Sequence, residues 1–244
     1  MIDAFSPFQL AISAVILAIA FLVRGVAGFG SGLIAIPLLT LMFPLTLVVP
    51  LMVVLDYVAS LSHGLSNRKE IRWKEILPMI PFSMLGVVIA LFFMSKSDAV
   101  LLTHALGVFI ILFALYTLSG YSPKSGASRL WGGIVGLSGG LIGTLFGTGG
   151  PLYVTYLKAR GLDKGAFRTT LAVTFLMDGA GRLVGFASSG FFTYEYLKLL
   201  AMTLPVMAVF LYIGGHIHTK LTHAQFQRGI SVLLIFSGVV LLLK

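Results

Sequence analysis

Apolar residues dominate this chain in long runs, and short polar stretches interrupt the runs at nearly regular intervals. A helix that crosses a bilayer needs about 20 residues, and about 17–25 are tolerated. Most runs meet that length, whereas two are too short to cross fully. The pattern predicts an all-α polytopic membrane protein with helical segments at about 8–24, 31–43, 45–65, 76–95, 98–119, 129–146, 150–158, 166–187, 196–215 and 224–243.

The two short segments, 31–43 and 150–158, each follow a glycine-rich break. The breaks are RGVAGFGSG at 24–32 and GTLFGTGGP at 143–151. At bilayer depth, non-helical backbone is tolerated only inside protein or beside a water-filled cavity. A matched pair of breaks therefore indicates a transport site between two repeats. We expect a broken helix or re-entrant hairpin at each break, and we expect the two breaks to meet near the midplane.

A weak internal repeat supports this organisation. It aligns Phe29-Gly30 with Phe146-Gly147, Asp56 with Asp178, and Pro81 with Pro205. Each half holds about five segments, and an odd number makes the halves run in opposite directions through the bilayer. We therefore predict two inverted-topology repeats. The first spans 1–120 and the second spans 129–244, with a cytoplasmic linker at 121–128 between them.

Composition agrees with a lipid environment. The chain is 58% hydrophobic and 10% charged, whereas an average soluble domain carries about 25% charged residues. Mean hydropathy is +1.02. The net charge of +9 comes from basic residues in short loops, which the positive-inside rule explains without a nucleic-acid partner. That rule places the loops at 67–75, 120–129, 158–168 and 216–228 in the cytoplasm and both termini outside.

Several chemistries are disfavoured by absent motifs. The sequence has no cysteine, which excludes disulfides, thiolate metal sites and cysteine nucleophiles. It contains neither an H-E-x-x-H motif nor a P-loop. We therefore expect no cofactor, no metal and no enzymatic activity. A non-transporting membrane scaffold and an intramembrane enzyme are the alternatives.

The breaks are the candidate substrate-binding site. A helix that starts inside the membrane presents unpaired N–H groups and about half a positive charge, which together favour an anion. Glycines permit close approach of a ligand and unusual φ values, and hydroxyls add donors. The alternative interpretation is tight helix packing by small residues. The candidate residues are Arg24, Gly28, Phe29, Gly30, Ser31, Gly32, Thr144, Phe146, Gly147, Thr148, Gly149 and Gly150.

Arg24 allows two interpretations. If segments 8–24 and 31–43 form a hairpin, its guanidinium is the leading cation for an oxyanion, because the fork donates two hydrogen bonds at once. If segment 8–24 spans fully, Arg24 is a snorkelling residue at the cytoplasmic surface.

Acids in the middle of apolar segments are candidates for coupling or gating. A charge there costs about 2.5–3.5 kcal/mol on insertion scales and needs a partner. Arg182 follows Asp178 by one helical turn, so the two share a face. Asp56 shares its face with Ser60 and His63. Proton coupling and a structural pair that locks helices both fit Asp178 and Arg182, whereas Asp56 favours a functional role.

The breaks also resemble a known family. Residues 28–38, GFGSGLIAIPL, and residues 140–151, GLIGTLFGTGGP, are similar to the two motifs of the TauE/SafE sulfite-exporter family of permeases. The resemblance implies a carrier of sulfite, sulfoacetate and related small anions in a bacterial inner membrane. We therefore expect a secondary transporter that works by alternating access, with coupling to protons or to the membrane potential. Its expected partners are a small anionic substrate, membrane lipid and a further copy in a homo-oligomer.

Overall fold

The computed structural model describes residues 6–63, 68–120, 126, 128–217 and 223–244. Within these ranges the chain forms helices and turns, with no strand. The helices are α1 (Pro7–Ala27), α2 (Ser31–Thr40), α3 (Leu45–His63), α4 (Trp73–Ile76), α5 (Met79–Lys96), α6 (Ala99–Leu118), α7 (Trp131–Phe146), α8 (Gly150–Ala159), α9 (Lys164–Ser188), α10 (Tyr194–His216) and α11 (His223–Leu243), with a 3-10 turn at Arg68–Glu70.

These helices confirm the predicted all-α membrane fold. Among the described residues, five candidate spans are long and apolar enough to cross a membrane: Pro7–Ala27, Trp73–Lys96, Ala99–Leu118, Gly165–Ser188 and Tyr194–His216. The two short segments form helices of ten residues each, α2 and α8. At about 1.5 Å per residue each is about 15 Å long, which is half of the roughly 30 Å hydrocarbon core.

One predicted segment differs in detail. The predicted segment at 76–95 corresponds to α5, which begins three residues later at Met79, because Leu77 and Pro78 interrupt the chain after the short helix α4. Proline lacks a backbone N–H and restricts the residue before it, so a helix is disrupted there.

The polar caps of the longer helices lie where the sequence offers short oxygen-bearing side chains. Ser6 forms a capping box with Gln9 at the start of α1, and Thr193 caps α10. At the start of α9 the Asp163 carboxylate accepts a hydrogen bond of 3.0 Å from the Ala166 N–H. That bond stabilises the ionised carboxylate and lowers the pKa of Asp163.

The chain divides into two compact units. Unit 1 comprises the described parts of 1–55, 97–121 and 192–244, and unit 2 comprises those of 56–96 and 122–191. Helix α3 is divided between them at Leu55 and Asp56. Each unit draws helices from both halves of the sequence, so the units are not the predicted repeats.

In unit 1, α1 packs on α10 and α6 packs on α11. The first pair crosses at glycines: a Cβ on Gly25 would lie 2.7 Å from the Gly214 Cα, and one on Gly214 would lie 3.0 Å from the Gly25 Cα. The second pair meets at Gly107 and Gly238 in the same way. Small residues at such crossings let helix backbones approach closely, as membrane helices require.

In unit 2, α5 packs along α7, and α9 packs on α5 and α8. The α5–α7 crossing also depends on glycine. A Cβ on Gly136 would overlap the Met79 carbonyl, and one on Gly140 would overlap the Ser83 carbonyl. The close crossing places the middle of α5 directly beside the last turns of α7, just before the second break.

The helix pairing within the units is reciprocal between the sequence halves. In unit 1 the first segment of the first half, α1, pairs with the fourth segment of the second half, α10. In unit 2 the first segment of the second half, α7, pairs with the fourth segment of the first half, α5. This exchange is consistent with two equivalent halves. The boundaries at 120 and 129 stay a prediction.

Large apolar side chains face outward on these helices. Val15, Val88, Val184, Tyr212 and Phe236 are each more than half exposed. The glycines at the helix crossings and buried polar residues such as Ser83 and Asp178 instead lie inside. An outward apolar surface is expected where lipid is the solvent. The predicted orientation of the loops and termini stays a prediction.

Candidate functional site at the helix breaks

The first break lies in unit 1 and turns at two glycines. Gly28 has φ of 84° and ends α1, with its N–H donating to the Arg24 carbonyl at 2.6 Å. Gly30 has φ of 100° and stands immediately before α2. Both values lie in the left-handed region, where a Cβ is strained. The half-buried Phe29 lies between them. The unusual φ predicted for Gly30 is therefore confirmed, and Gly28 adopts one as well.

Arg24 lies against the start of α2. Its side chain points inward, since the residue is only 8% exposed, and its Nη1 donates a hydrogen bond of 3.0 Å to the Ser31 Oγ. Ser31 is the first residue of α2 and is fully buried. This burial contradicts the snorkelling interpretation, although α1 is long enough to span. A guanidinium and a helix N-terminus thus lie side by side, and both favour an anion.

The second break lies in unit 2. Helix α7 ends at Phe146, and Gly147 follows in the left-handed region with φ of 64°. Helix α8 then begins at Gly150, with Pro151 in its first turn, where no N–H is needed. The flanking hydroxyls of Thr144 and Thr148 are buried at 0% and 2% exposure. Neither hydroxyl has a hydrogen-bond partner among the described residues, although a buried hydroxyl normally has one.

Some glycines of the breaks do not adopt the unusual φ values that were expected for them. Gly32, Gly149 and Gly150 are not in the left-handed region, so the expected unusual φ is wrong for them. Gly149 has φ of −66°. Its absent Cβ leaves room for α7, because an added Cβ would overlap the Gly139 carbonyl and lie 3.0 Å from the Gly143 Cα. Small-residue packing, the alternative interpretation, therefore explains Gly149.

The Asp178–Arg182 ion pair is formed, and it contacts the second break. The Arg182 Nη2 donates to the Asp178 Oδ2, and its Nη1 donates to the Gly143 carbonyl oxygen at 3.1 Å. Asp178 is fully buried and Arg182 is 9% exposed. A Cβ on Gly143 would lie 3.2 Å from the Arg182 Nη1. The pair is therefore fixed to the end of α7, one residue before Thr144.

Two further residues join this pair that the sequence analysis missed. Ser83 of α5 donates from Oγ to the Asp178 Oδ1. The Tyr153 hydroxyl of α8 donates to the Ser83 Oγ at 3.4 Å, and Tyr153 is fully buried. Each is a polar residue within an apolar segment. Such residues seek partners in lipid, and that pattern was the available sequence indicator.

The other predicted coupling residues lie on α3. Asp56 is half-buried, and its carbonyl oxygen accepts a hydrogen bond of 2.8 Å from the Ser60 Oγ. The shared face of Asp56 and Ser60 is thus as predicted. The side chain of His63, the last residue of α3, lies outside the part of the chain that the structure describes.

A second buried acid in unit 2 was also missed. Glu75 of α4 is 4% exposed. Its carboxylate accepts hydrogen bonds from Arg160 at 2.7 and 3.1 Å, from Arg129 at 3.1 Å and from the Tyr156 hydroxyl at 3.0 Å. These contacts join the end of α8, the approach to α7 and α4. The cluster fixes the half-helix α8 at the end opposite the second break.

The whole chain is similar to known transport proteins. Residues 12–241 match the family described as "Sulfite exporter TauE/SafE". The chain belongs to the TauE/SafE family. A curated relative from Comamonas testosteroni, "Probable inner membrane transporter protein TsaS", is 26% identical over 192 residues, which cover 77% of this chain and 80% of the relative. No solved structure matches the chain significantly. The TauE/SafE membership and the description of this relative make the protein a membrane transporter.

Proposed function

We propose that the protein is a secondary carrier that moves small sulfur-containing oxyanions, such as sulfite or sulfoacetate, across the cytoplasmic membrane by alternating access. Its family is described by sulfite export, and its relative from Comamonas testosteroni is described as an inner membrane transporter. The family description supports this class of substrate, and the relative's description supports this location. The sequence lacks a P-loop, which favours coupling to protons or to the membrane potential.

The second break supplies the observation that carries the proposal. Two buried threonine hydroxyls without partners among the described residues flank the N-terminal end of a half-length helix. The Arg182 guanidinium lies 3.1 Å from the same segment, at the Gly143 carbonyl. Hydroxyl donors, backbone N–H groups and a guanidinium together suit a tetrahedral or pyramidal oxyanion. The Arg24–Ser31 contact gives the first break the same donor chemistry.

The proposal is tested by flux into proteoliposomes. Purified protein is reconstituted, and entry of radiolabelled sulfite and sulfoacetate is measured against protein-free liposomes and against liposomes that contain the Gly30→Val variant. Entry of either anion that saturates with concentration and is inhibited by the other is the expected result. Entry no faster than in protein-free liposomes, for a protein shown to be folded, would reject the carrier and favour a non-transporting scaffold.

A further inference from the structure

Unit 2 holds a connected set of buried polar groups around the Asp178–Arg182 pair. Arg182 uses Nη2 on Asp178 and Nη1 on the Gly143 carbonyl. Its Nε is buried and has no partner among the described residues. A guanidinium carries five donors, so Arg182 has unused donor capacity beside the second break. The cation is therefore placed to bind an incoming anion without leaving its position.

Helices α5 and α8 pack against α9 and bring hydroxyl groups to Asp178, whereas α4 and α7, which also pack on α9, place no described side chain in hydrogen-bonding contact with it. Ser83 of α5 donates to the carboxylate. The Tyr153 hydroxyl of α8 reaches the Ser83 Oγ at 3.4 Å, and Tyr57 of α3 lies against Gly179. Arg182 is the charged group among these neighbours within the described residues. The carboxylate therefore depends on one cation and one hydroxyl donor.

An anion bound at the second break changes the charge balance around Asp178 and Arg182. One guanidinium cannot neutralise two negative charges, and an uncompensated carboxylate in an apolar interior is costly. Protonation removes that charge. The Ser83 hydroxyl can then accept a hydrogen bond from the protonated carboxyl group, because a hydroxyl both donates and accepts. The Tyr153 hydroxyl can still donate to the same Ser83 oxygen. Asp178 thus has the Ser83 hydroxyl as a hydrogen-bond partner in both states.

We propose that Asp178 takes up one proton when an anion binds to Arg182 at the second break, so that the anion and the proton move together. Asp178 carries the proton, Arg182 binds the anion, and Ser83 and Tyr153 are positioning residues. This inference rests on the proposed carrier function. In the bound state the proton neutralises the Asp178 carboxylate while Arg182 neutralises the anion, and the proton and the anion are released on the opposite side.

A proton gradient then accumulates the anion by a predictable ratio. One pH unit corresponds to about 1.4 kcal/mol per proton, so a symport of one proton gives about a tenfold gradient of anion. Proteoliposomes are loaded with alkaline buffer and placed in medium about one pH unit more acidic, with valinomycin and equal potassium on both sides to clamp the voltage. The probe is radiolabelled sulfoacetate, measured at equilibrium.

The variant Asp178→Asn separates this inference from the carrier itself. The wild type is expected to accumulate sulfoacetate about tenfold, whereas Asp178→Asn is expected to equilibrate it without accumulation. Asp98→Asn is the matched control, because it makes the same change at an exposed residue outside the set, and it is expected to accumulate as the wild type does. No flux of sulfoacetate in the wild type would reject the carrier proposal itself. Flux without accumulation in the wild type, or accumulation in Asp178→Asn, would overturn the coupling alone.

Ser83→Ala tests the same inference if Asp178→Asn fails to assemble. Loss of the hydroxyl donor disfavours the ionised carboxylate. The pH at which the initial rate of sulfoacetate entry is half-maximal is therefore expected to rise, with the protein folded. A purely structural role would lower the amount of folded protein and leave that pH unchanged, and an unchanged pH profile would contradict the proposal.

Discussion

The Arg182 guanidinium donates a hydrogen bond of 3.1 Å to the backbone carbonyl oxygen of Gly143. This single contact joins the ion pair of α9 to the last turn of α7. It also explains why residue 143 is glycine, since a Cβ there would lie 3.2 Å from the Arg182 Nη1. The candidate coupling pair and the candidate anion site are therefore in physical contact within unit 2.

Gly143→Ala is expected to weaken anion binding while the fold is retained. The added Cβ displaces the guanidinium by a few tenths of an ångström, and loss of one charge-assisted hydrogen bond raises the half-saturating concentration of sulfoacetate about tenfold. The helical gain of up to about 1 kcal/mol from replacing glycine offsets the strain. Flux measurements and thermal unfolding in detergent check both parts.

Gly215→Ala is the matched control for this change. It lies in α10 at an exposed position where no described heavy atom is within 4 Å of an added Cβ. Its flux is expected to equal that of the wild type. Equal flux from Gly143→Ala as well would mean that the position of Arg182 does not matter for the anion.

Thr148→Val and Thr144→Val are expected to change stability and function in opposite directions. Each removes a buried hydroxyl that has no partner among the described residues, at nearly constant volume. The free energy of unfolding should rise by about 1 kcal/mol, because an unsatisfied buried hydroxyl costs that much or more. The half-saturating concentration of sulfoacetate should rise about tenfold, because an anion loses a donor.

Thr40→Val separates the two effects. Thr40 also has a buried hydroxyl without a partner among the described residues, but it lies at the end of α2 opposite the first break. It is expected to gain similar stability with unchanged flux. If Thr148→Val and Thr144→Val also gain stability without any loss of affinity, these hydroxyls do not bind the anion.

We expect the planar donor geometry of the Arg24 guanidinium to contribute to anion binding in addition to its charge. Arg24→Lys keeps the charge but loses the planar donor pair, so the half-saturating concentration should rise several-fold. Arg24→Gln should have a larger effect, about tenfold or more, because it removes the charge as well. Arg228→Gln, which neutralises an exposed arginine of α11, is the control. Wild-type transport kinetics in Arg24→Gln would show that the first break does not bind the anion.

The Glu75 cluster predicts a stability effect. Glu75→Ala leaves Arg160 and Arg129 without their shared carboxylate and should lower the free energy of unfolding by about 3 kcal/mol. That is the low end of the range for a broken buried pair, because the Arg129 side chain is 55% exposed and water screens it. Glu195→Ala breaks an exposed pair with Lys198 and should cost about 0–1 kcal/mol. Similar losses in both variants would contradict a structural role for the cluster.

The sequence predicts the helices well and the contacts between them poorly. Hydropathy locates every long helix because lipid requires a continuous apolar run, and the breaks mark the starts of α2 and α8. The pair of Asp178 and Arg182 is also predictable, since one helical turn fixes it. Ser83 and Asp178 are separated by 95 residues of chain. Their contact depends on how α5 crosses α9, and the hydrophobic pattern of the sequence does not determine that crossing.

The glycines of the breaks also separate what the sequence predicts from what only the structure shows. Their number is visible in the sequence, but their roles separate only in three dimensions. Gly30 and Gly147 take left-handed backbone conformations, whereas Gly149 lies against the α7 backbone. A Gly149→Val variant therefore tests packing, and the threonine variants test the anion site more cleanly.

The location of a bound anion tests the central claim most directly. Selenate presents the tetrahedral oxygens of a sulfur oxyanion, and its selenium scatters X-rays anomalously. Crystals of the protein soaked in selenate are expected to show an anomalous peak within hydrogen-bonding reach of the Thr148 hydroxyl and the first N–H groups of α8. Anomalous peaks confined to the exposed basic loops, with the breaks empty at saturating selenate, would contradict the account.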